Sequence, residues 1–157
     1  MTTRMKNAIE IESVVCFTVP HLVPPSGNHY KSPTMYTGKD GYAHRGFKVT
    51  AEAKAYKDAV AIFARGRTVA PATARERKAV KYRVGVHVVL GARARLDCDN
   101  SAKVALDALQ AAGVIHSDAN VLECVLSIDR DDRENPRTEF FVSRLELEAE
   151  ENDGTKR

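Results

Sequence analysis

Three aspartates carry the chemistry available to this chain: Asp97 and Asp99 in Arg95-Leu96-Asp97-Cys98-Asp99-Asn100, and Asp118 in Ser117-Asp118-Ala119-Asn120-Val121. The first pair closes a strand-like stretch. In extended backbone alternate side chains share a face, so Asp97 and Asp99 are expected to point together and Cys98 the other way, inward. Carboxylates held that close repel unless a cation or a proton lies between them. Mg²⁺ is the natural occupant, because it is typically held by one or two carboxylates, water and substrate phosphate. Asp118 is expected to return to the same place after an intervening helix and complete a three-carboxylate metal site. Taken alone, Asp-x-Asp also serves as a turn or helix-cap pattern. It occurs in nucleotide-sugar transferases too, for which the chain is short.

The helix after the first pair is expected over roughly Ser101 to Ala112, capped by Asp99 or Asn100 and ended by Gly113. Asp99, Lys103, Asp107 and Gln110 recur at three- and four-residue spacing and so form one polar stripe, backed by Val104, Ala105, Leu106, Ala108 and Leu109. Lys103, one turn from Asp99, suits either a plain ion pair along the helix or contact with a phosphate and the charge that develops on it. The helix N-terminus adds backbone N–H groups that can meet phosphate. Asp107 reads as a supporting residue rather than a ligand.

The chain has 157 residues and a formal net charge of +3. That length is one domain. The charge is unevenly spread. Residues 1–145 hold 22 basic and 16 acidic side chains, and between 65 and 95 nine cations face the single acid Glu76. A basic block that leads into an acidic metal site suits a protein that cuts phosphodiesters, since phosphate contacts dominate nucleic-acid affinity. Cys16, Cys98 and Cys124 are odd in number and widely spaced, which fits free thiols in a reducing cytoplasm and no disulfide framework. No apolar run approaches the ~20 residues that span a bilayer, and the start of the chain lacks a signal-peptide core.

Residues 1–11 are expected as a loose leader, 12–147 as the domain and 148–157 as an acidic flexible tail. Ser13 to Val19 reads as a strand that stops at Pro20. Pro20 to Val49 is expected to be irregular, a loop long enough to be functional or mobile. Thr50 caps a helix from Ala51 to about Ala64, ended by Gly66, and 67–79 is a basic linker. Tyr82, Val84, Val86 and Val88 alternate with Arg83, Gly85 and His87, the clearest strand in the chain. Val121–Ile128 and Glu139–Leu147 supply two more strands. The order predicts an α/β (α+β) layer: a small mixed sheet of about four strands carrying two helices.

The run from Asp97 to Leu109, with its Asp-Cys-Asp-Asn, Lys103 and Leu106-Asp107-Ala108-Leu109, followed by Gly113 and Asp118-Ala119-Asn120-Val121, resembles the RusA-type Holliday junction resolvases. Pro24-Pro25-Ser26-Gly27-Asn28-His29-Tyr30 and the helix start Thr50 to Tyr56 are similar to that family as well. The resemblance covers about residues 14–146. It implies a RusA-like fold and a homodimeric, Mg²⁺-dependent endodeoxyribonuclease, with Mn²⁺ as a possible substitute. Such an enzyme cuts four-way DNA junctions in symmetric pairs during recombination and repair, in members frequent in phages. The family's catalytic, metal-holding aspartates fall on Asp97, Asp99 and Asp118, and its required lysine on Lys103. Arg93, Arg95, Asn28, His29, Tyr30 and Asn100 are the expected DNA contacts or supports of the site. The chain departs from the family at Ser117, where many members have Asp, at Asn120 for Gln, at Cys98 for an aliphatic residue, and in an enlarged loop over 33–46. Two other readings use the same residues: a less selective nuclease for branched or flap DNA, and a catalytically silent DNA-binding protein.

Overall fold

The computed structural model describes residues 8–26, 30–92 and 94–147, with the backbone alone at 8–12, 99 and 146–147. In chain order the elements are β1 (Ala8–Pro20), β2 (Lys31–Thr37), β3 (Ala43–Val49), α1 (Ala51–Phe63), α2 (Ala74–Ala79), β4 (Lys81–Val89), α3 (Cys98–Ala111), β5 (Val121–Asp129) and β6 (Arg137–Leu147). The mixed α+β architecture expected from the sequence is present. β1, β6, β4 and β5 form one sheet in that spatial order, antiparallel except for the parallel pair β4/β5.

Alternation explains the sheet. Val84 pairs with Val142, which pairs with Val15, and Val86 pairs with Phe140, which pairs with Phe17, so these rows share one face. That face packs against Tyr56 and Val60 of α1 and Val104, Ala105, Ala108 and Leu109 of α3 in one buried core. The Phe17 and Phe140 rings stack there at 4.9 Å. The opposite face leaves Val14, Val125 and Phe141 about half exposed. α1 starts as its sequence predicts, with the Thr50 hydroxyl accepting from the Ala53 N–H.

Three elements depart from the sequence expectation. β1 runs back to Ala8, into the segment read as a leader, with its register against β6 shifting between Glu10 and Val14. The stretch read as irregular contains an antiparallel hairpin, β2/β3, which forms a separate two-stranded sheet. No residue of either strand is buried, and Pro33 and Gly46 are poor strand formers, so no core-facing stripe marks them. The linker after α1 holds α2, opened by a capping box. The Thr73 hydroxyl accepts from the Glu76 N–H and donates to the Glu76 carboxylate at 2.7 Å, which holds that carboxyl below its usual pKa.

The unit β4–α3–β5 positions the candidate site. Parallel neighbours need a crossover, and α3 supplies it. β4 therefore ends where α3 begins, and α3 ends where β5 begins. Val89 pairs with Asp129 at the first end, where the Leu90 N–H also reaches the Asp129 carbonyl at 2.9 Å. Tyr82 pairs with Val121 at the other end.

Candidate active site

α3 begins at Cys98, earlier than its predicted start, with Asp97 as the N-cap in extended conformation. This corrects the expectation that Asp97 and Asp99 alternate on a strand. Residues 94–97 pair with no strand, and the backbone of Asp99 already lies in the first helical turn. The helix wins because Asp, Asn and Ser favour a helix start. Cys98 is exposed, not inward-facing. The Asp97 side chain caps no N–H of its helix. Its Oδ2 accepts instead from Asn100 Nδ2 at 2.8 Å, so Asn100 orients Asp97.

Asp97 lines a cleft of about 500 Å³ with Val23, Pro24, Pro25, Ser26, Glu52, Ala94, Arg95 and Leu96. Segments far apart in the chain thus converge on one place: the Pro-Pro-Ser run, the first turn of α1, and the Arg95–Asp97 approach to α3. Glu52 is a carboxylate that sequence reasoning passed over, because it reads as an ordinary first-turn acid of α1. Arg95 is exposed at the rim. Arg93, Asn28 and His29 lie outside the described residues. Lys103 is exposed, one turn along α3 from Asp99.

Farther along the same stripe, Asp107 Oδ2 accepts from the Tyr30 hydroxyl at 2.8 Å. Tyr30 is 7% exposed, and the Lys57 ammonium sits 5.1 Å from its ring centroid. Burial, and then the Asp107 hydrogen bond and charge, push the Tyr30 phenol up to about 12. Tyr30, expected as a DNA contact or a support of the site, is buried and ties the root of β2 to α3. The last polar residue of the stripe is Gln110, whose Oε1 accepts from the Asp118 N–H at 2.9 Å. Asp118 opens a 3-10 turn, Asp118–Asn120, in which the Ser117 hydroxyl accepts from the Ala119 N–H. Asn120 ties that turn to α2 by donating to the Arg77 carbonyl at 2.7 Å.

Asp118 therefore does not return to Asp97. It is bonded to the C-terminal part of α3, whose 14 residues span about 20 Å from the Asp97 end. The expectation of a single-chain triad fails because a parallel crossover carries the chain to the far end of the sheet before β5 starts. Among the described residues no three His, Cys, Asp or Glu side chains stand close enough to hold a metal ion, and the Asp99 side chain is not among those described. The donors themselves suit a hard cation. Asp97 and Asp118 offer carboxylate oxygens, and neither has an ion-pair partner among the described residues.

The family model of the endodeoxyribonuclease RusA matches residues 24–143. The chain belongs to the RusA family. No curated protein matches it. The matched span opens at Pro24 in the cleft beside Asp97 and takes in α1, α3 and Asp118. RusA proteins are endodeoxyribonucleases that act on branched DNA junctions. Among the described residues of this RusA chain, no helix is long and apolar enough to cross a membrane.

Proposed function

We propose that this chain is a metal-dependent endonuclease that resolves four-way DNA junctions by paired, symmetric cuts, as a cytoplasmic homodimer serving recombination and repair, in a phage-derived setting. The observation that carries this reading is the convergence of Pro24–Ser26, Arg95 and Asp97 in one cleft at the start of α3. Asp97, Asp99 and Asp118 are the carboxylates that would hold Mg²⁺, or Mn²⁺ in its place. A bound divalent cation supplies an activated water and offsets charge on the phosphoryl group being transferred.

The chain's own groups do the rest. Backbone N–H groups at the open start of α3 receive a phosphate oxygen. Lys103, one turn on, meets the charge that builds on that phosphate. Arg95, at the cleft, follows the DNA backbone, and Arg93, Asn28 and His29 are assigned to DNA contact by their resemblance to the family. Tyr30, Asn100 and Gln110 position the others rather than touch the reacting atoms. Because Asp118 is bonded to Gln110, about 20 Å along α3 from Asp97, a three-carboxylate site would take its Asp118 from the partner subunit. The homodimer is then a requirement of the chemistry as well as a match to the near two-fold symmetry of a junction.

Asp97→Asn tests the reading. Loss of cutting with junction affinity kept is the expected result. A wild-type protein that binds junctions and cuts none in Mg²⁺ or Mn²⁺ is a silent DNA-binding protein, and one that cuts flaps and duplex equally is a less selective nuclease.

A further inference from the structure

The β2/β3 hairpin has two unlike faces. Residues opposite each other in the register share a face. One face carries Ser32 with Lys48, Thr34 with Gly46, and Tyr36 with His44. It is consolidated from within: the Tyr36 and His44 rings stack at 5.6 Å, and His44 meets the Asp40 carboxylate at 2.9 Å. A Cβ at Gly46 would stand 3.0 Å from the Tyr36 ring, so glycine lets that ring lie across the strand. The other face carries Lys31 with Val49, Pro33 with Phe47, and Met35 with Arg45. Its apolar side chains point to solvent, with Phe47 75% and Met35 60% exposed. Pro33, Met35, Arg45 and Phe47 project around an open hollow of about 490 Å³ that reaches down to Thr34 and Gly46. At the tip, Tyr42 is 73% exposed beside Lys39.

Charge selects the occupant. The hairpin holds Lys31, Lys39, Arg45 and Lys48 against one acid, Asp40, which is engaged with His44. Lys31 and Arg45 flank the apolar ridge with no ion-pair partner among the described residues. A ridge of Pro, Met and Phe beside cations that hold no carboxylate, Lys31 lying 5.8 Å from the Tyr30 ring centroid, suits DNA. Proteins insert such apolar wedges between base steps while cations take the neighbouring phosphates, and aromatic side chains stack on unpaired bases.

The hairpin is also tied to the site. Tyr30, the residue before β2, donates to Asp107 of α3, while its carbonyl accepts from Thr50, the residue after β3. From that root a seven-residue strand reaches about 23 Å.

We infer that this hairpin is a branch-point wedge: Pro33, Met35 and Phe47 engage unstacked bases at the crossover of a DNA junction, with Lys31 and Arg45 on the flanking phosphates. The inference rests on the DNA reading above. It gives this chain a contact that recognises the branch rather than the duplex.

The test is binding, in EDTA, to an immobile four-way junction with 2-aminopurine beside the branch point, for wild type and for Met35→Ala/Phe47→Ala. Both side chains are exposed, so the variant is expected to keep its fold by circular dichroism. Wild type should raise the 2-aminopurine fluorescence. The variant should lose that rise and bind the junction about tenfold more weakly, with linear-duplex affinity within about twofold. Arg45→Ala should instead lower affinity for both DNAs and reduce the salt slope by about one. An unchanged fluorescence rise and affinity in the double variant overturns the wedge while leaving the nuclease reading intact. A variant that falls from dimer to monomer by light scattering assigns the ridge to a second copy and also overturns it. Wild type that binds no DNA removes the parent reading with it.

Discussion

If Asp97 and Asp118 act on one ion from different subunits, two dead proteins should make one live enzyme. In a homodimer of Asp97→Asn both composite sites lack Asp97, and in a homodimer of Asp118→Asn both lack Asp118. A heterodimer of the two puts both lesions in one site and leaves the other intact. The structure sets the magnitude. Carboxylate oxygens bind Mg²⁺ at about 2.0–2.1 Å, whereas the ends of α3 stand about 20 Å apart, so one chain's pair cannot share an ion. The isolated heterodimer should therefore nick at about half the wild-type rate per dimer, against a loss of several orders of magnitude in each homodimer. It should nick one strand of a junction and not resolve it, because only one of its two sites works. Co-expression with two affinity tags gives the heterodimer, and a denaturing gel of a junction labelled on each strand gives the count. Heterodimer activity no higher than that of the two parents would refute the shared site.

Other outcomes follow from single contacts. Tyr30→Phe keeps the ring and removes a hydrogen bond to a charged, half-buried acceptor, so urea denaturation should show a loss of about 1–2 kcal/mol; a change under about 0.3 kcal/mol denies the strut. The Tyr30 phenol is raised by burial and Asp107 to about 12, so the stability it confers is whole below pH 10 and lost as pH rises through about 12. A 295 nm titration of wild type minus Tyr30→Phe should accordingly step near 12, not 10. Gln110→Leu removes the acceptor of the Asp118 N–H, which should lower the cutting rate about tenfold with the melting temperature little changed; an unchanged rate shows that Gln110 positions nothing. Phe140 is buried and Phe141 half exposed, so Phe140→Ala should cost about 3–5 kcal/mol and Phe141→Ala far less. Equal losses would contradict the register of β6.

What the sequence made legible, and what it hid, follows from the range of the forces involved. The alternation from Tyr82 to Val88 and the apolar stripe behind Lys103 report burial directly, and the main sheet, α1 and α3 stand where those patterns indicate. Thr50 and Gly113 mark helix ends for local reasons of capping and left-handed backbone, and Gly113 does adopt φ 74°. The hairpin leaves little trace in the sequence because it buries neither face, and burial is what makes a strand visible there. α2 is short and polar on every side, so only its capping box could have revealed it. The placement of Asp118 was hidden for a different reason. Sequence spacing gives the number of residues between two carboxylates, but the parallel pairing of β4 and β5 decides which end of the sheet the second reaches. Glu52 and the Pro24–Ser26 run join Asp97 through tertiary packing alone.

Cleavage of a strand-labelled synthetic four-way junction by the purified wild-type protein, beside linear duplex and in Mg²⁺ or EDTA, tests the nuclease assignment most directly. Paired, symmetric cuts near the branch point that need Mg²⁺ and spare the duplex are the predicted result. Tight junction binding with no strand cut in any metal would contradict it and leave a RusA fold that only holds DNA.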